Sequence, residues 1–169
     1  MSTEKILDTL TKLERMHRSL LELGTKKTDI LKTNDMEQLT SILKTEQAHV
    51  AAIETLEQQR QAQVYDYLQA QGITNVDKPT VTQLIEVATA EEKPELAAIR
   101  DRLLHVVDEL KEVNMLNQKL VMQSLQYINY SLDLLQPNRA AQSNTFNYSG
   151  AEVRGTGSVG KKSYFNSEV

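Results

Sequence analysis

Apolar residues recur three and four apart through most of the first 136 positions, the period of helices that bury one stripe. In the first stretch Ile6, Leu10, Leu13, His17, Leu20 and Leu31 keep this spacing, interrupted at Gly24 and Lys27. The pattern predicts a helix over about 3–33, capped by Ser2 or Thr3, with looser packing near Gly24. Asn34-Asp35-Met36-Glu37 reads as a turn into a second helix. Asn34 or Asp35 can accept from its first free amides, and Glu37 suits the positive end of its dipole. That helix is expected over about 36–71, with Leu39, Ile42, Leu43, Val50, Ile53, Leu56, Val64 and Leu68 on one side. Glu46, Glu57 and Arg60 interrupt or flank the stripe, and Gly72 is a natural stop.

Beyond the break GITNVDKPT, Thr80 with Gln83 fits a capping box. It opens a short helix of about 81–89, whose Val81, Leu84, Ile85 and Val87 are expected to cover one end of the long helices. Pro94 stands where a first-turn proline belongs and begins a last helix over about 94–135. Its seam runs Leu96, Ile99, Leu103, Val106, Leu110, Val113, Asn117, Leu120, Ser124, Tyr127, Ser131, Leu134, alternating three and four as coiled-coil packing does. From Val121 a second stripe appears, formed by Val121, Leu125, Ile128, Leu132 and Leu135.

That second stripe makes Met115–Leu135 unusual. The segment holds twelve apolar or aromatic residues and two charges, Lys119 and Asp133. A surface helix normally buries one stripe and charges the opposite face. Apolar groups on several faces fit either ordinary internal packing or a helix that meets both its own bundle and a partner. Asn117, Ser124 and Ser131 read either as register-setting polar groups in the seam or as the floor of a site wetted until a helix docks.

After Gln136-Pro137 the sequence contains no Leu, Ile or Met and is dominated by small and polar residues. It cannot bury enough surface to offset the entropy of ordering, so 137–169 is expected to be a disordered tail. Two aromatic islands interrupt it, Phe146-Asn147-Tyr148 and Tyr164-Phe165. The expected fold is therefore all-α: an elongated antiparallel helical bundle or coiled coil of three long helices and one short one over 1–136, followed by the tail.

Composition narrows the function. There is no Cys among 169 residues, which excludes disulfides and thiolate metal sites and fits a reducing compartment. Net charge is −4, and no Lys/Arg stripe follows a helix, which disfavours nucleic-acid binding. The N-terminus lacks the basic start and apolar run of a signal peptide. Met115–Leu135 is long enough to span a bilayer, but its Asn, Gln and Ser residues make insertion costly. The reading is a soluble, cytoplasmic protein.

Two Glu-x-x-His pairs, Glu14/His17 and Glu46/His49, match half of a di-iron carboxylate bundle. That template needs a further Glu from each of two more helices, whereas the third long helix offers Asp101, Asp108, Glu109 and Glu112 mostly off its seam. The simpler expectation is solvent-facing Glu14 and Glu46, with His17, His49 and His105 at helix edges. Glu91-Glu92 reads as a solvated helix start rather than an acid/base pair. No Gly-rich phosphate loop, HExxH or GxSxG occurs. Neither a catalytic residue, a metal site nor a cofactor is expected.

The run from Val113-Asn114-Met115-Leu116-Asn117-Gln118-Lys119-Leu120 through Ser124-Leu125-Gln126-Tyr127-Ile128-Asn129-Tyr130-Ser131-Leu132-Asp133-Leu134-Leu135 resembles the C-terminal helix of FlgN-type flagellar export chaperones. The hairpin around Asn34-Asp35-Met36-Glu37-Gln38-Leu39 is similar too, and the likeness covers about 3–148. It implies a cytoplasmic type III export chaperone for hook-filament junction proteins. Such a chaperone binds the C-terminal helical segment of its client, prevents premature assembly and delivers it to the export apparatus. Residues 1–136 would be the chaperone domain. Client binding would fall on Asn117, Leu120, Val121, Leu125, Ile128 and Leu132, and docking on the export gate on Phe146 and Tyr148. The leading alternative is a self-associating coiled-coil scaffold that uses the same stripe; a di-iron bundle enzyme ranks third.

Overall fold

A computed structural model describes residues 3–135, all helical or connecting, with four helices and no strand among them. They are α1 (Glu4–Thr33), α2 (Met36–Ala70), α3 (Val81–Val87) and α4 (Lys93–Leu135). The described chain divides into two units after Asn117. Residues 137–169, including the expected tail, lie outside the described residues.

Each helix end has a local cause. Asn34 takes the left-handed conformation (φ 54°) that ends α1, so Asp35 is left to cap α2, accepting from Gln38 N at 3.1 Å. Gly72 at φ +85° closes α2, with Ile73 N donating to Leu68 O at 3.0 Å and Gly72 N to Gln69 O at 2.9 Å. This paired arrangement satisfies the last carbonyls and calls for a residue without Cβ. The Thr80/Gln83 capping box is formed in both directions. Thr3 precedes α1 without capping it through its side chain: its hydroxyl donates instead to Glu92 Oε1 at 2.8 Å.

In the first unit, α1 and α2 form an antiparallel hairpin, and α4 runs parallel to α1. The register of α1 on α4 is constant, because Thr3 meets Glu92, Glu14 meets Arg102 and Thr28 meets Asn117 at sequence separations of 89, 88 and 89. The core joins Ile6, Leu10, Leu13 and Leu20 to Ile53, Val64, Tyr67 and Leu68, to Val81 and Leu84 of α3, and to Leu96, Ile99, Leu103, Val106 and Leu110 of α4. These are the seam positions of α1 and α4, and α3 plugs against α2 as expected.

The stripe on α2 departs from expectation. Nothing on it is buried before Ile53; Leu39, Ile42 and Val50 are half-buried, while Leu43 is exposed. The hairpin's closed end is thus held more by polar contacts. Lys27 bridges Glu46 at 3.0 Å, and Ser19 Oγ lies 2.8 Å from His49 Nε2. His49 Nδ1 faces Thr45 O at 2.8 Å and must donate to it, so in the neutral ring Nε2 accepts from the serine.

Gly24 overturns the expectation of loose packing. It is buried, and a Cβ built there would lie 3.0 Å from Val113 Cγ1. The break in apolar spacing marks a close approach of two helices, which only a residue without a side chain allows.

Candidate functional site

The second unit contributes residues 118–135 of α4, and none of them is buried. Val121 is 41% exposed, Ile128 51% and Leu132 53%; Tyr127, Tyr130, Leu134 and Leu135 are exposed further. Leu120, Ser124, Leu125 and Ser131 are half-buried. Tyr127 and Leu134, expected in the seam, are open. An exposed apolar surface of this extent with two charges on it is the usual mark of an interaction site. The polar residues around it are Gln118, Gln123, Ser124, Gln126, Asn129 and Ser131, which tolerate water and can be covered at lower cost than charges.

In the first unit α4 ends in a polar node. Asn117 is 3% exposed; its Nδ2 donates to Gly24 O at 2.9 Å, and its Oδ1 accepts from Thr28 Oγ1 at 2.5 Å. The open carbonyl of Gly24 is reachable because no side chain covers it. Of the two readings of Asn117, the geometry is that of a satisfied, register-fixing group in the seam.

The remaining expected site residues are placed as follows. Glu14 is not solvent-facing: it is buried, and accepts from Arg18 Nη2 at 2.9 Å and from Arg102 Nε at 3.3 Å. Burial pushes its carboxyl up, but the two guanidinium groups outweigh this and hold it below the usual range. His17 is a core residue rather than an edge one, 4% exposed, with Nδ1 donating to Leu13 O at 2.7 Å. Burial lowers its pKa, against the opposing pull of Leu13 O and Glu57. Glu46 is taken by Lys27 and His49 by Ser19, so the two Glu-x-x-His pairs are not brought to one point. Among the described residues no three His, Asp or Glu side chains are grouped as metal ligands would be. Nor is any helix among them long and apolar enough to cross a membrane.

Nor is Glu92 a merely solvated residue at a helix start. Its Oε1 accepts from Thr3 N and Oγ1, and its Oε2 from Thr89 N and Oγ1, all within 3.2 Å. These bonds, those of Thr3 and Thr89 hydroxyls foremost, lower its pKa to about 2. The group ties the start of α1 to the start of α4. It is a fastening.

What decides between a generic bundle and a specific one is the match along the whole described chain. A family model described as FlgN protein matches residues 1–154. The chain belongs to the FlgN family. A Bacillus subtilis (strain 168) protein, "Uncharacterized protein YvyG", is 34% identical over 149 residues, 88% of each chain. No solved structure matches significantly. FlgN proteins are a family of flagellar chaperones rather than enzymes, and at that level this chain is a flagellar export chaperone that binds flagellar proteins.

For a FlgN chain, reading along the sequence found the exposed segment of α4 but missed the partners of Asn117. The available signal was Gly24 itself, which follows Leu20 by four residues and so sits on the α1 seam. Phe146 and Tyr148 lie outside the described residues.

Proposed function

We propose that this FlgN-family protein works in the cytoplasm and binds the C-terminal helical segment of hook-filament junction proteins. It holds them unassembled and delivers them to the type III export apparatus. The observation that carries this reading is the exposed, charge-poor apolar surface of α4 beyond Asn117. An amphipathic client helix would lay its apolar face along Leu120, Val121, Leu125, Ile128 and Leu132. Asn117, buried and engaged by Thr28 and Gly24, fixes the register of the helix rather than touching the client. Phe146 and Tyr148 dock on the export gate.

The test is Leu125→Asp combined with Ile128→Asp in the full chain. Neither site is buried, so the helical circular-dichroism signal should be retained. Affinity for a peptide carrying the junction protein's C-terminal helix should fall at least a hundredfold, as two carboxylates would be covered without partners. Unchanged affinity removes this stripe from the site.

A further inference from the structure

The exposed segment of α4 carries a second apolar stripe that shares only Leu120 with the client reading. At ~100° per residue, Val121, Leu125, Ile128 and Leu132 fall within an arc of about 60°. Leu120, Tyr127, Tyr130 and Leu134, together with Gln123, fall within another arc of about 80°, centred roughly 150° away. Tyr127 is 72% exposed, Tyr130 63% and Leu134 65%. The order Leu120, Gln123, Tyr127, Tyr130, Leu134 alternates three and four without a break, the spacing of a two-stranded helical interface.

The two charges of the segment point to what covers this stripe. Lys119 and Asp133 are two heptads apart, on the same flank, one at each end. A second copy of α4 laid antiparallel brings Leu120 beside Tyr130 and Gln123 beside Tyr127 of that copy. In the same register Lys119 comes within about two residues, ~3 Å along the axis, of the copy's Asp133, an offset a lysine side chain spans. Symmetry repeats the pair at the other end. In a parallel arrangement this flank of one copy lies on the far side of the seam from the same flank of the other, so the lysine and the aspartate do not meet. We propose that Leu120, Gln123, Tyr127, Tyr130 and Leu134 form a self-association face that pairs antiparallel with a second copy of this chain. Apart from Leu120, which borders both surfaces, this face lies on a different side of the helix from the Val121–Leu132 stripe and does not depend on the client reading.

Sedimentation equilibrium of the purified full chain at low ionic strength tests it. The expected result is a concentration-dependent dimer that Tyr127→Asp with Tyr130→Asp abolishes while helicity is kept. Lys119→Asp alone or Asp133→Lys alone should each weaken the dimer on the order of tenfold, because both ends turn from attraction to repulsion. Combining Lys119→Asp with Asp133→Lys should restore it. Leu125→Asp with Ile128→Asp should leave dimerisation within a few-fold, so loss of client binding and loss of the dimer are separable. A monomer at all concentrations overturns the proposal. So does a dimer indifferent to the tyrosines, a charge swap that fails to rescue, or a dimer lost in the Leu125/Ile128 variant.

Discussion

Thr28→Val tests the node that ends the buried part of α4. Valine keeps the branched shape of threonine and removes only the hydroxyl, the donor to Asn117 Oδ1. Asn117 is 3% exposed, so solvent cannot replace that donor. A buried acceptor left without a partner costs about 1–3 kcal/mol, and about 2 is expected here. Asn117→Leu differs, because it removes the amide altogether. Gly24 O retains its helical amide and the Thr28 hydroxyl at 3.1 Å, and Thr28 can turn to it, so about 1 kcal/mol is expected. In the double variant no orphan remains, and the cost should be about 1 kcal/mol rather than the ~3 of the two added together. Urea unfolding followed by circular dichroism measures all four corners of the cycle, with a common m-value showing that the unfolding reaction is unchanged. Additivity within about 0.3 kcal/mol would refute the claim that Thr28 and Asn117 satisfy one another.

Gly24→Ala should lower the melting temperature, at a net cost of about 1 kcal/mol, although alanine ordinarily gains that much over glycine within a helix. The added Cβ meets Val113 Cγ1 at 3.0 Å, and a β-branched side chain in a helix has little freedom to turn away. In a Val113→Ala background the same substitution should become stabilising. Glu92 has its pKa lowered to about 2, so its contribution is present above the unfolded value near 4.5 and lost as pH falls toward 2. Acid titrations of stability should lose about 2 kcal/mol across that window, and Glu92→Gln should flatten it. His17 has the same proton balance at a higher pH, since burial keeps it neutral in the fold while the unfolded chain takes up a proton near pH 6.5. Stability should therefore decline as pH drops below 6.5, and His17→Phe should remove that slope; an NMR titration of His17 at its ordinary value would contradict the assignment.

Much of the fold was legible because its causes are local. The capping box at Thr80, the Gly72 stop and the Pro94 start involve residues within a few positions of one another, and the regular seam of α4 needs only counting. What escaped depended on residues about 89 positions apart. Glu92 looked like a solvated start until Thr3 was seen against it, Glu14 until Arg102 was, and Gly24 looked like a flaw until Val113 was. The α2 stripe misled for a related reason. Its period shows which side of the helix is apolar, but not how far along its length other helices cover that side. The exposed surface on α4 was legible as an excess of apolar groups over charges. The division of that surface into two stripes is a matter of angle, and is visible only once the helix is continuous to Leu135.

That continuity has a kinetic consequence. A free peptide of 18 residues with the composition of 118–135 would be a marginal helix in water, because starting a helix fixes several residues for a single hydrogen bond. In this protein the start has already been made upstream, in the turns of α4 that end at Asn117. Each residue beyond it faces only the near-neutral step of extending an existing helix. The exposed part of α4 can then fray and re-form from its far end in about nanoseconds per residue, far faster than a protein-sized partner arrives by diffusion. Under the proposed function, a client thus meets a template already in register rather than a coil it must first wind.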